Sequence, residues 1–212
     1  QFGSGPDSIQ GGFAPGGNKM KAVIMAGGEG TRLRPLTSNA PKPMMPLANR
    51  PMMEHVVTLL REHGITEIVV TVAFMAETIR TYFGDGSEFG VEMTYATEDT
   101  PLGTAGSVRN AKDQLDETFL VISGDVLTDI DLDALIEAHR ESQAVATIGL
   151  VRVDNPLEYG IVITDEVGNI ERFLEKPTWG QVFSDTINSG IYVLEPRIFD
   201  WIAADQPVDF SG

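Results

Sequence analysis

Short apolar segments alternate with amphipathic segments along most of the chain. Apolar runs of strand length occupy residues 21–25, 67–73, 91–96, 119–123 and 144–151. Segments with apolar residues at helical spacing occupy residues 51–63, 76–83, 104–115 and 132–140. This alternation of strands and helices predicts an α/β fold, a doubly wound and mostly parallel sheet with helices on both faces.

The pattern changes after Pro156. Two short apolar runs, 161–164 and 170–174, flank a polar turn that contains Gly168, which is typical of a β-hairpin. A further strand at 191–194 and a helix from 196 to about 203 complete the prediction. We therefore expect a mixed, Rossmann-like sheet with a smaller lobe on one edge.

Ligands of open α/β sheets bind beyond the carboxyl ends of the strands. The turns after Met25, Ala96 and Ser123 should therefore gather on one rim of the sheet. This rim is the expected position of the functional site.

The composition excludes several classes of function. Of the 212 residues, 31 are acidic and 15 are basic, and the net charge of −16 argues against a general binder of nucleic acid or anionic membranes. The chain has no cysteine, so disulfides, thiolate metal sites and cysteine nucleophiles are excluded, and a cytoplasmic location is expected. No apolar run approaches the roughly 20 residues of a membrane span. Residues 1–19 lack the features of a secretory signal, and we interpret them as a leader or expression remnant.

The few cations are concentrated in one segment. From Lys19 to Arg50 there are six basic residues and one acid, Glu29. The basic residues are Lys19, Lys21, Arg32, Arg34, Lys42 and Arg50. A solvated loop is one interpretation, but a site for a small, highly charged anion explains the concentration better.

The turn after the first strand has the chemistry of a phosphate site. Its glycines allow backbone N–H groups to approach phosphate oxygens, Arg32 offers a planar fork of donors, and Lys42 offers a point charge. A Walker A loop is absent, because no Gly-Lys-Ser/Thr follows. A dinucleotide-binding fingerprint is excluded as well, because Leu33 stands where a third Gly or Ala is needed.

The full string is more specific than its glycines. Residues 27–37, followed by Pro41-Lys42-Pro43, resemble the signature G-G-x-G-T-R-L-x-P-L-T…P-K-P of the sugar-1-phosphate nucleotidylyltransferases, or NDP-sugar pyrophosphorylases. Further similar motifs follow in family order at 101–106, 123–125, 158–160, 173–177 and 188–190. The resemblance covers residues 20 to about 200, and within the family it is strongest to mannose-1-phosphate guanylyltransferases.

The resemblance implies a fold of the nucleotide-diphospho-sugar transferase type, with a smaller sugar-binding lobe, in a domain over 20–212 that is cut short at its C-terminal side. It implies Mg²⁺ as cofactor and a nucleoside triphosphate and a sugar 1-phosphate as substrates. A sugar-phosphate oxygen attacks the α-phosphorus and pyrophosphate leaves, so no enzyme nucleophile is needed. Homo-oligomers are common in the family, and neither nucleic acid nor membrane is expected as a partner.

The family's functional residues map onto matching positions of this chain. Arg32 would hold the triphosphate, Lys42 would lie near the α-phosphate, and Asp125 would bind Mg²⁺. The nucleotide would be bound by Ala26, Gly27, Gly28, Gly30, Thr31, Glu98, Leu102, Gly103 and Thr104. The nearby trio Asp129, Asp131 and Asp133 better suits a helix start than a metal site.

Glu98 is the informative position for the choice of base. Uridylyl- and thymidylyltransferases of the family tend to carry glutamine there. A carboxylate offers only acceptors, which match the two adjacent donors of guanine and oppose a carbonyl of uracil. The sequence therefore favours GTP.

The sugar side is implied by the second half of the chain. Gly160 would leave room for the hexose, Glu175 and Asn188 would bind its hydroxyls, and Lys176 would pair with its phosphate. The three histidines, His55, His63 and His139, fall in predicted helices, where we expect structural or surface roles.

The chain departs from the family near its C-terminus. The family's second metal-binding aspartate lies in a later segment, and Asp209 has the wrong neighbours to take that role. Two alternatives to a GTP-dependent mannose-1-phosphate enzyme therefore stay open. One is a UTP- or dTTP-dependent glucose-1-phosphate enzyme, and the other is a non-catalytic, nucleotide-sugar-binding regulatory subunit.

Overall fold

A computed structural model describes residues 20–28, 30–156, 159–175, 185–204 and 206–210. At Arg32 and Glu175 the description covers the backbone. The predictions for the side chains of these two residues, and for Lys176, lie outside the described part of the chain.

The helices and strands follow the predicted alternation. The α-helices are α1 (Met52–Glu62), α2 (Ala76–Phe83), α3 (Gly103–Asn110) and α4 (Leu132–Ser142). The first six strands are β1 (Lys21–Met25), β2 (Pro46–Leu47), β3 (Arg50–Pro51), β4 (Glu67–Val72), β5 (Glu92–Thr97) and β6 (Phe119–Ser123). The later strands are β7 (Ala146–Arg152), β8 (Gly160–Thr164), β9 (Ile170–Glu175) and β10 (Thr186–Leu194).

A mixed sheet of eight strands forms the centre of the described structure, in the order β5-β4-β1-β6-β10-β8-β9 with β7 also paired to β10. Strands β5, β4, β1 and β6 are parallel, as predicted. Strand β10 runs antiparallel to β6, and β8 and β9 form the predicted hairpin. The second half of the chain thus continues the same sheet rather than only resting on its edge.

Alternation along the strands creates two apolar layers. Ala22 and Ile24 of β1 face one buried cluster, and Val23 between them faces the other. Helices α1, α2 and α4 pack on the first face, and α3 packs on the second. Helices on both faces explain why the central strands read as continuous apolar runs in the sequence.

Two predicted helices differ from the structure. The segment 104–115 is helical only to Asn110 and continues as a 3₁₀ turn at Lys112–Gln114, because Leu115 turns into the second cluster before β6. The segment predicted as a helix from 196 is a short 3₁₀ helix, Pro196–Asp200. No helix in the described part of the chain is both long and apolar enough to cross a bilayer.

Strand β10 begins five residues earlier than its apolar run. Its first half contains Asn188, Ser189 and Gly190, which are not apolar and were left out of the predicted strand. An irregularity in the pairing with β7 between Asn188 and Tyr192 accommodates them. Ile187, which is buried and pairs with Ile161, holds the early part of the strand in the sheet.

Candidate functional site

A cavity of about 620 Å³ opens beyond the carboxyl ends of β1, β5 and β6. The turns that follow these three strands line it together, which confirms the predicted rim. The lining comprises Met25, Ala26, Gly27, Gly28, Gly30, Thr31, Leu33, Lys42, Pro43, Glu98, Pro101, Leu102, Gly103, Thr104, Ser107, Ser123, Asp125 and Asp209.

The glycine turn leaves β1 and immediately becomes a rigid loop. Ala26 N donates to Thr71 O at 2.9 Å, which extends the pairing with β4 by one bond. Gly30 has a φ of +61°, and its carbonyl accepts hydrogen bonds from Leu33 N at 2.9 Å and Thr37 Oγ1 at 2.8 Å. The open side of the turn is at Gly28, where an added Cβ would meet no atom within 4 Å. The backbone of Gly27, Gly28 and Gly30 thus lines the cavity with no side chain between it and a ligand.

Two glycines allow the Lys42-Pro43 segment to approach the turn and the end of β6. A Cβ on Gly30 would lie 3.0 Å from Lys42 Cβ, closer than side chains ordinarily pack. On the other side, a Cβ on Gly124 would lie 3.1 Å from Ile24 Cγ2 and 3.4 Å from Pro43 Cβ. Lys42 is thus held between the glycine turn and the residue that precedes Asp125.

The result is an ion pair inside the cavity. Lys42 Nζ lies 2.5 Å from Asp125 Oδ2, and both side chains keep about a third of their surface exposed, 36% and 29%. The two predicted catalytic side chains that the structure describes are therefore in direct contact. A cation and a carboxylate at the mouth of a glycine turn can together bind a phosphate and a hard metal ion.

Glu98 follows β5 and lies between the glycine turn and α3, since a Cβ on Gly27 would lie 3.4 Å from Glu98 Oε1. Its side chain is buried, with 7% of the residue exposed, yet it carries a carboxylate. Ser107 Oγ donates to Glu98 Oε1 at 2.5 Å, and Leu102 N donates to Oε2 at 3.3 Å. Both donors hold the carboxylate in one orientation at the cavity lining, and a carboxylate can accept more hydrogen bonds than these two.

The sequence analysis missed Ser107. It lies one helical turn after Gly103 on α3, so both residues are on the same face of the helix. This four-residue spacing from Gly103 is the sequence signal that could have identified Ser107 as a site residue.

The loop before α3 is closed by a segment remote in sequence. Gly103 has a φ of +72°, and a Cβ on it would lie 2.6 Å from Val208 O. Thr104 donates to Asp209 Oδ1 through both its amide, at 2.8 Å, and its hydroxyl, at 3.1 Å. Among the predicted nucleotide-binding residues, Thr104 therefore already uses both of these groups within the protein. Asp209, to which the sequence assigned no role, lines the cavity.

The described sugar-side residues lie outside the cavity lining. Gly160 begins β8 and pairs with Glu175 across the hairpin. Asn188 Nδ2 donates to Tyr192 Oη at 2.8 Å, and Asn188 Oδ1 accepts from Gly190 N at 2.9 Å. Burial raises the pKa of Tyr192, so the phenol is a neutral hydrogen-bonding partner. Sugar binding by Gly160, Glu175, Lys176 and Asn188 remains a prediction.

A second acidic group lies apart from the cavity lining. Donor atoms of His63, Asp131 and Asp133 fall within 4.8 Å of one another on the described surface. Asp131 accepts from Ala134 N at 3.0 Å at the start of α4, and His63 Nδ1 lies 3.0 Å from Asp133 Oδ2. Asp131 thus caps α4, in agreement with the prediction that these acids mark a helix start.

The buried histidine, His139, has structural contacts. It is 2% exposed, and its ring nitrogens lie 2.8 Å from Thr147 Oγ1 and 3.1 Å from Glu195 Oε1. Burial opposes the charged form of Glu195, but hydrogen bonds from Thr118 and His139 outweigh it and lower the pKa of that carboxyl. None of the three histidines is in the cavity lining of the described chain.

Comparison with known families gives one match across most of the chain. The family described as "Nucleotidyl transferase" matches residues 21–209. This span contains every predicted site residue and all the described strands and helices.

Individual relatives agree with that match but differ in their named substrates. The chain is 42% identical over 207 residues to a UTP–glucose-1-phosphate uridylyltransferase of Synechocystis sp., covering 91% of this chain and 53% of that protein. It is 40% identical over 196 residues to a mannose-1-phosphate guanylyltransferase of Mycobacterium tuberculosis, covering 90% and 53%. The chain thus spans about half the length of the curated relatives it matches.

A solved structure supports the fold. The crystal structure of HddC from Yersinia pseudotuberculosis complexed with GMP-PN superposes with a TM-score of 0.77 at 28% identity, over 91% of this chain and 83% of that chain. The mixed sheet described above is therefore an arrangement already seen in a protein solved with a guanine nucleotide analogue.

Proposed function

We propose a function for this chain from the family to which it belongs, the nucleotidyl transferases. In this proposal the chain transfers a nucleotidyl group from a nucleoside triphosphate to a sugar 1-phosphate and releases pyrophosphate. The preferred pair in this proposal is GTP and mannose 1-phosphate. The observation that carries it is the Lys42–Asp125 ion pair, which lies in the same cavity as the glycine turn and the buried Glu98.

The reaction brings anions together, so the protein's task is to position them and to offset their charge. Backbone N–H groups of the glycine turn would bind the triphosphate together with Arg32. The Lys42 ammonium would approach the α-phosphate and the attacking phosphate oxygen from the other side of the turn. The attacking oxygen is already ionised at neutral pH, so no general base is required.

The donor set fits Mg²⁺. Asp125 ends a buried strand and points a hard carboxylate oxygen into the cavity, beside the position proposed for the phosphates. Magnesium commonly takes one or two protein carboxylates and completes its shell with phosphate oxygens and water. When bound, it would offset charge on the phosphate oxygens and orient them for in-line displacement.

Base choice would rest on Glu98. Its carboxylate receives two protein donors, and its remaining acceptors match the N1–H and exocyclic amine of guanine. The Mycobacterium tuberculosis relative, named a mannose-1-phosphate guanylyltransferase, supports this preference. The sugar 1-phosphate would lie toward β8 and β10, near Gly160, Glu175, Lys176 and Asn188.

A second candidate uses UTP or dTTP with glucose 1-phosphate. The observation in its favour is the 42% identity to a protein named UTP–glucose-1-phosphate uridylyltransferase. A non-catalytic, nucleotide-sugar-binding subunit of the same family is a third candidate. The presence of both Lys42 and Asp125 argues for catalysis, since binding alone does not need the pair.

The proposal also includes a cytoplasmic location, supported by the absence of cysteine. The proposal also includes the formation of homo-oligomers, which rests on the family resemblance and not on a contact in the described structure.

The deciding experiment is a substrate matrix on this chain. GTP, UTP and dTTP are each combined with mannose 1-phosphate and glucose 1-phosphate in Mg²⁺, and pyrophosphate is measured. Release with GTP and mannose 1-phosphate above all other pairs is expected. Release only with UTP or dTTP and glucose 1-phosphate would overturn the substrate assignment. Nucleotide binding without turnover in any pair would favour the regulatory subunit.

A further inference from the structure

Residues 206–210 cross the loop that opens α3. Val208 N donates to Leu102 O at 2.8 Å, and Val208 O accepts from Ala105 N at 2.9 Å and Gly106 N at 3.1 Å. Asp209 then accepts from the amide and hydroxyl of Thr104. A segment 105 residues away along the chain thus contacts the whole first turn of the helix.

This contact replaces an ordinary helix cap. Leu102, at the N-cap position of α3, has no side chain that can accept from the helix. The first-turn amides, which helices leave without intrahelical acceptors, are instead satisfied by Asp209 and Val208. The carboxylate also places a negative charge at the positive end of the helix dipole.

The 206–210 segment is itself anchored in the core. The ring of Phe210 packs on that of Tyr192 with centroids 4.6 Å apart, and Phe210 joins the apolar cluster on this face of the sheet. Phe210 N also donates to Thr104 Oγ1 at 2.9 Å. The position of Asp209 is therefore supported from β10 and the core as well as by the loop that it contacts.

We infer that Asp209 is a positioning residue of the nucleotide pocket. Asp209 fixes Thr104, and its neighbour Val208 donates to the carbonyl of Leu102, two residues before Thr104. The amide of Leu102 in turn donates to Glu98, so the carboxylate proposed to read the base depends on the contact that Asp209 anchors. The kinetic consequence of this inference rests on the proposed function. The structural part, which is the capping of α3 by Asp209, is independent of that function.

The charge of Asp209 has a second consequence, which concerns the orientation of a bound nucleotide. Glu98 and Asp209 put two carboxylates on the α3 side of the cavity, and Lys42 lies on the glycine-turn side. A helix N-terminus ordinarily attracts phosphate, but here the first-turn amides are engaged and the nearest charge is negative. In the proposed complex the base end of the nucleotide, not its triphosphate, would lie toward α3.

The test compares Asp209→Ala, which removes the acceptor, with Asp209→Asn, which keeps an oxygen at that position. Asp113→Ala, an exposed aspartate on the 3₁₀ turn after α3, is the charge-matched control. The KM for GTP in Asp209→Ala should rise about tenfold, the scale of a lost helix cap. The KM for mannose 1-phosphate should stay within about twofold, and Asp209→Asn should recover most of the loss.

Hydrogen exchange of the Thr104 amide supplies a readout that needs no activity. Exchange should accelerate about tenfold in Asp209→Ala and stay near wild type in Asp209→Asn and Asp113→Ala. Unchanged exchange in Asp209→Ala would overturn the inference whatever the enzyme does. Accelerated exchange in a protein that turns over no substrate pair would leave the capping role intact and refute the proposed function instead. Equal rises in KM for both substrates would overturn the specific link to the nucleotide.

Discussion

Lys42 Nζ lies 2.5 Å from Asp125 Oδ2, which joins the glycine-turn side of the cavity to the end of β6. Neither residue is deeply buried, so the pair contributes little to folding and its position matters more than its stability. The missing Cβ of Gly30 leaves room for the Lys42 side chain, and Gly124, which precedes Asp125, packs against Ile24 and Pro43. The ion pair thus lies between two stretches of backbone, at Gly30 and at Gly124, that have no side chain of their own.

Removing the Lys42 charge should impair turnover far more than folding. We expect Lys42→Met to lower kcat/KM about 10²- to 10³-fold, because a cation aimed at transition-state charge in a cavity is lost. Lys112→Met, on the exposed 3₁₀ turn, is the control and should retain activity. Pyrophosphate release and thermal unfolding measure the two effects. Activity of Lys42→Met within about threefold of wild type would contradict the assigned role.

Gly30 and Gly64 provide a matched pair for the glycine turn. Both have positive φ, +61° and +74°, so alanine carries a similar backbone penalty at each, about 1–2 kcal/mol. A Cβ at Gly64 meets nothing within 4 Å, whereas one at Gly30 crowds Lys42 and Thr37. Both variants should lose stability, but only Gly30→Ala should lose activity, by about tenfold or more. Equal activity in the two variants would show that the Gly30–Lys42 contact is unimportant.

Glu98→Gln should weaken the preference for guanine. The amide oxygen can still accept from Ser107, but the NH2 then replaces Oε2 and can no longer accept from the Leu102 amide. The same NH2 puts a donor where the carboxylate offered an acceptor, which suits the carbonyls of uracil or thymine better than the donors of guanine. The ratio of kcat/KM for GTP to that for UTP should fall about tenfold or more. Glu92→Gln, an exposed substitution on the same strand, should leave the ratio unchanged. A Glu98→Gln ratio equal to that of wild type would remove Glu98 from base recognition.

Thr71 offers a way to stabilise the protein. Its side chain is fully buried in β4, and its Oγ1 has no hydrogen-bond partner in the described structure. Thr71→Val keeps the shape and removes the unpaired hydroxyl, so the free energy of unfolding should rise by about 1 kcal/mol. Thr118→Val, which removes the 2.7 Å hydrogen bond to Glu195, should do the opposite. Denaturant unfolding of the two variants measures whether the free energy of unfolding rises or falls. A loss of stability in Thr71→Val would show that the hydroxyl has a hydrogen-bond partner.

Glu195 should make stability depend on pH. Its pKa is lowered in the folded protein, so its contribution is complete above the usual value of 4.5 and is lost as the pH falls through the folded pKa. Glu195→Gln should therefore have a lower Tm than wild type at about pH 7, and the gap should shrink toward about pH 3. Glu141→Gln, on the exposed end of α4, is the control. A gap that does not change with pH would contradict the shift.

Much of the fold could be predicted from the sequence because the central strands and helices arise from local patterns of apolar residues. The apolar runs of β1, β4 and β6 and the helical spacing of α1 and α2 depend on neighbours two to four residues away. The course of β10 was not readable, because a run with Asn188 and Gly190 becomes a strand only when β7 and β8 are there to pair with it. The end of α3 was likewise decided by the core contact of Leu115.

The sequence by itself determined the chemistry available to this protein. It carries the glycine turn, a cation between two prolines in Lys42, an acid after a buried strand in Asp125, and a second acid at Glu98. Residue type and spacing along the chain are enough to identify such groups, because their charge and their hydrogen-bonding capacity are properties of single side chains.

Only the tertiary structure decided which of these groups meet and what holds them. The contact of Lys42 with Asp125, the donation from Ser107 to Glu98 and the capping of α3 by Asp209 all join separate elements of the fold. Each depends on distances set by packing across the sheet, and such distances are not encoded in any short stretch of residues. Asp209 shows this most clearly, because its partner Thr104 is 105 residues away and is brought near by the core beneath Phe210.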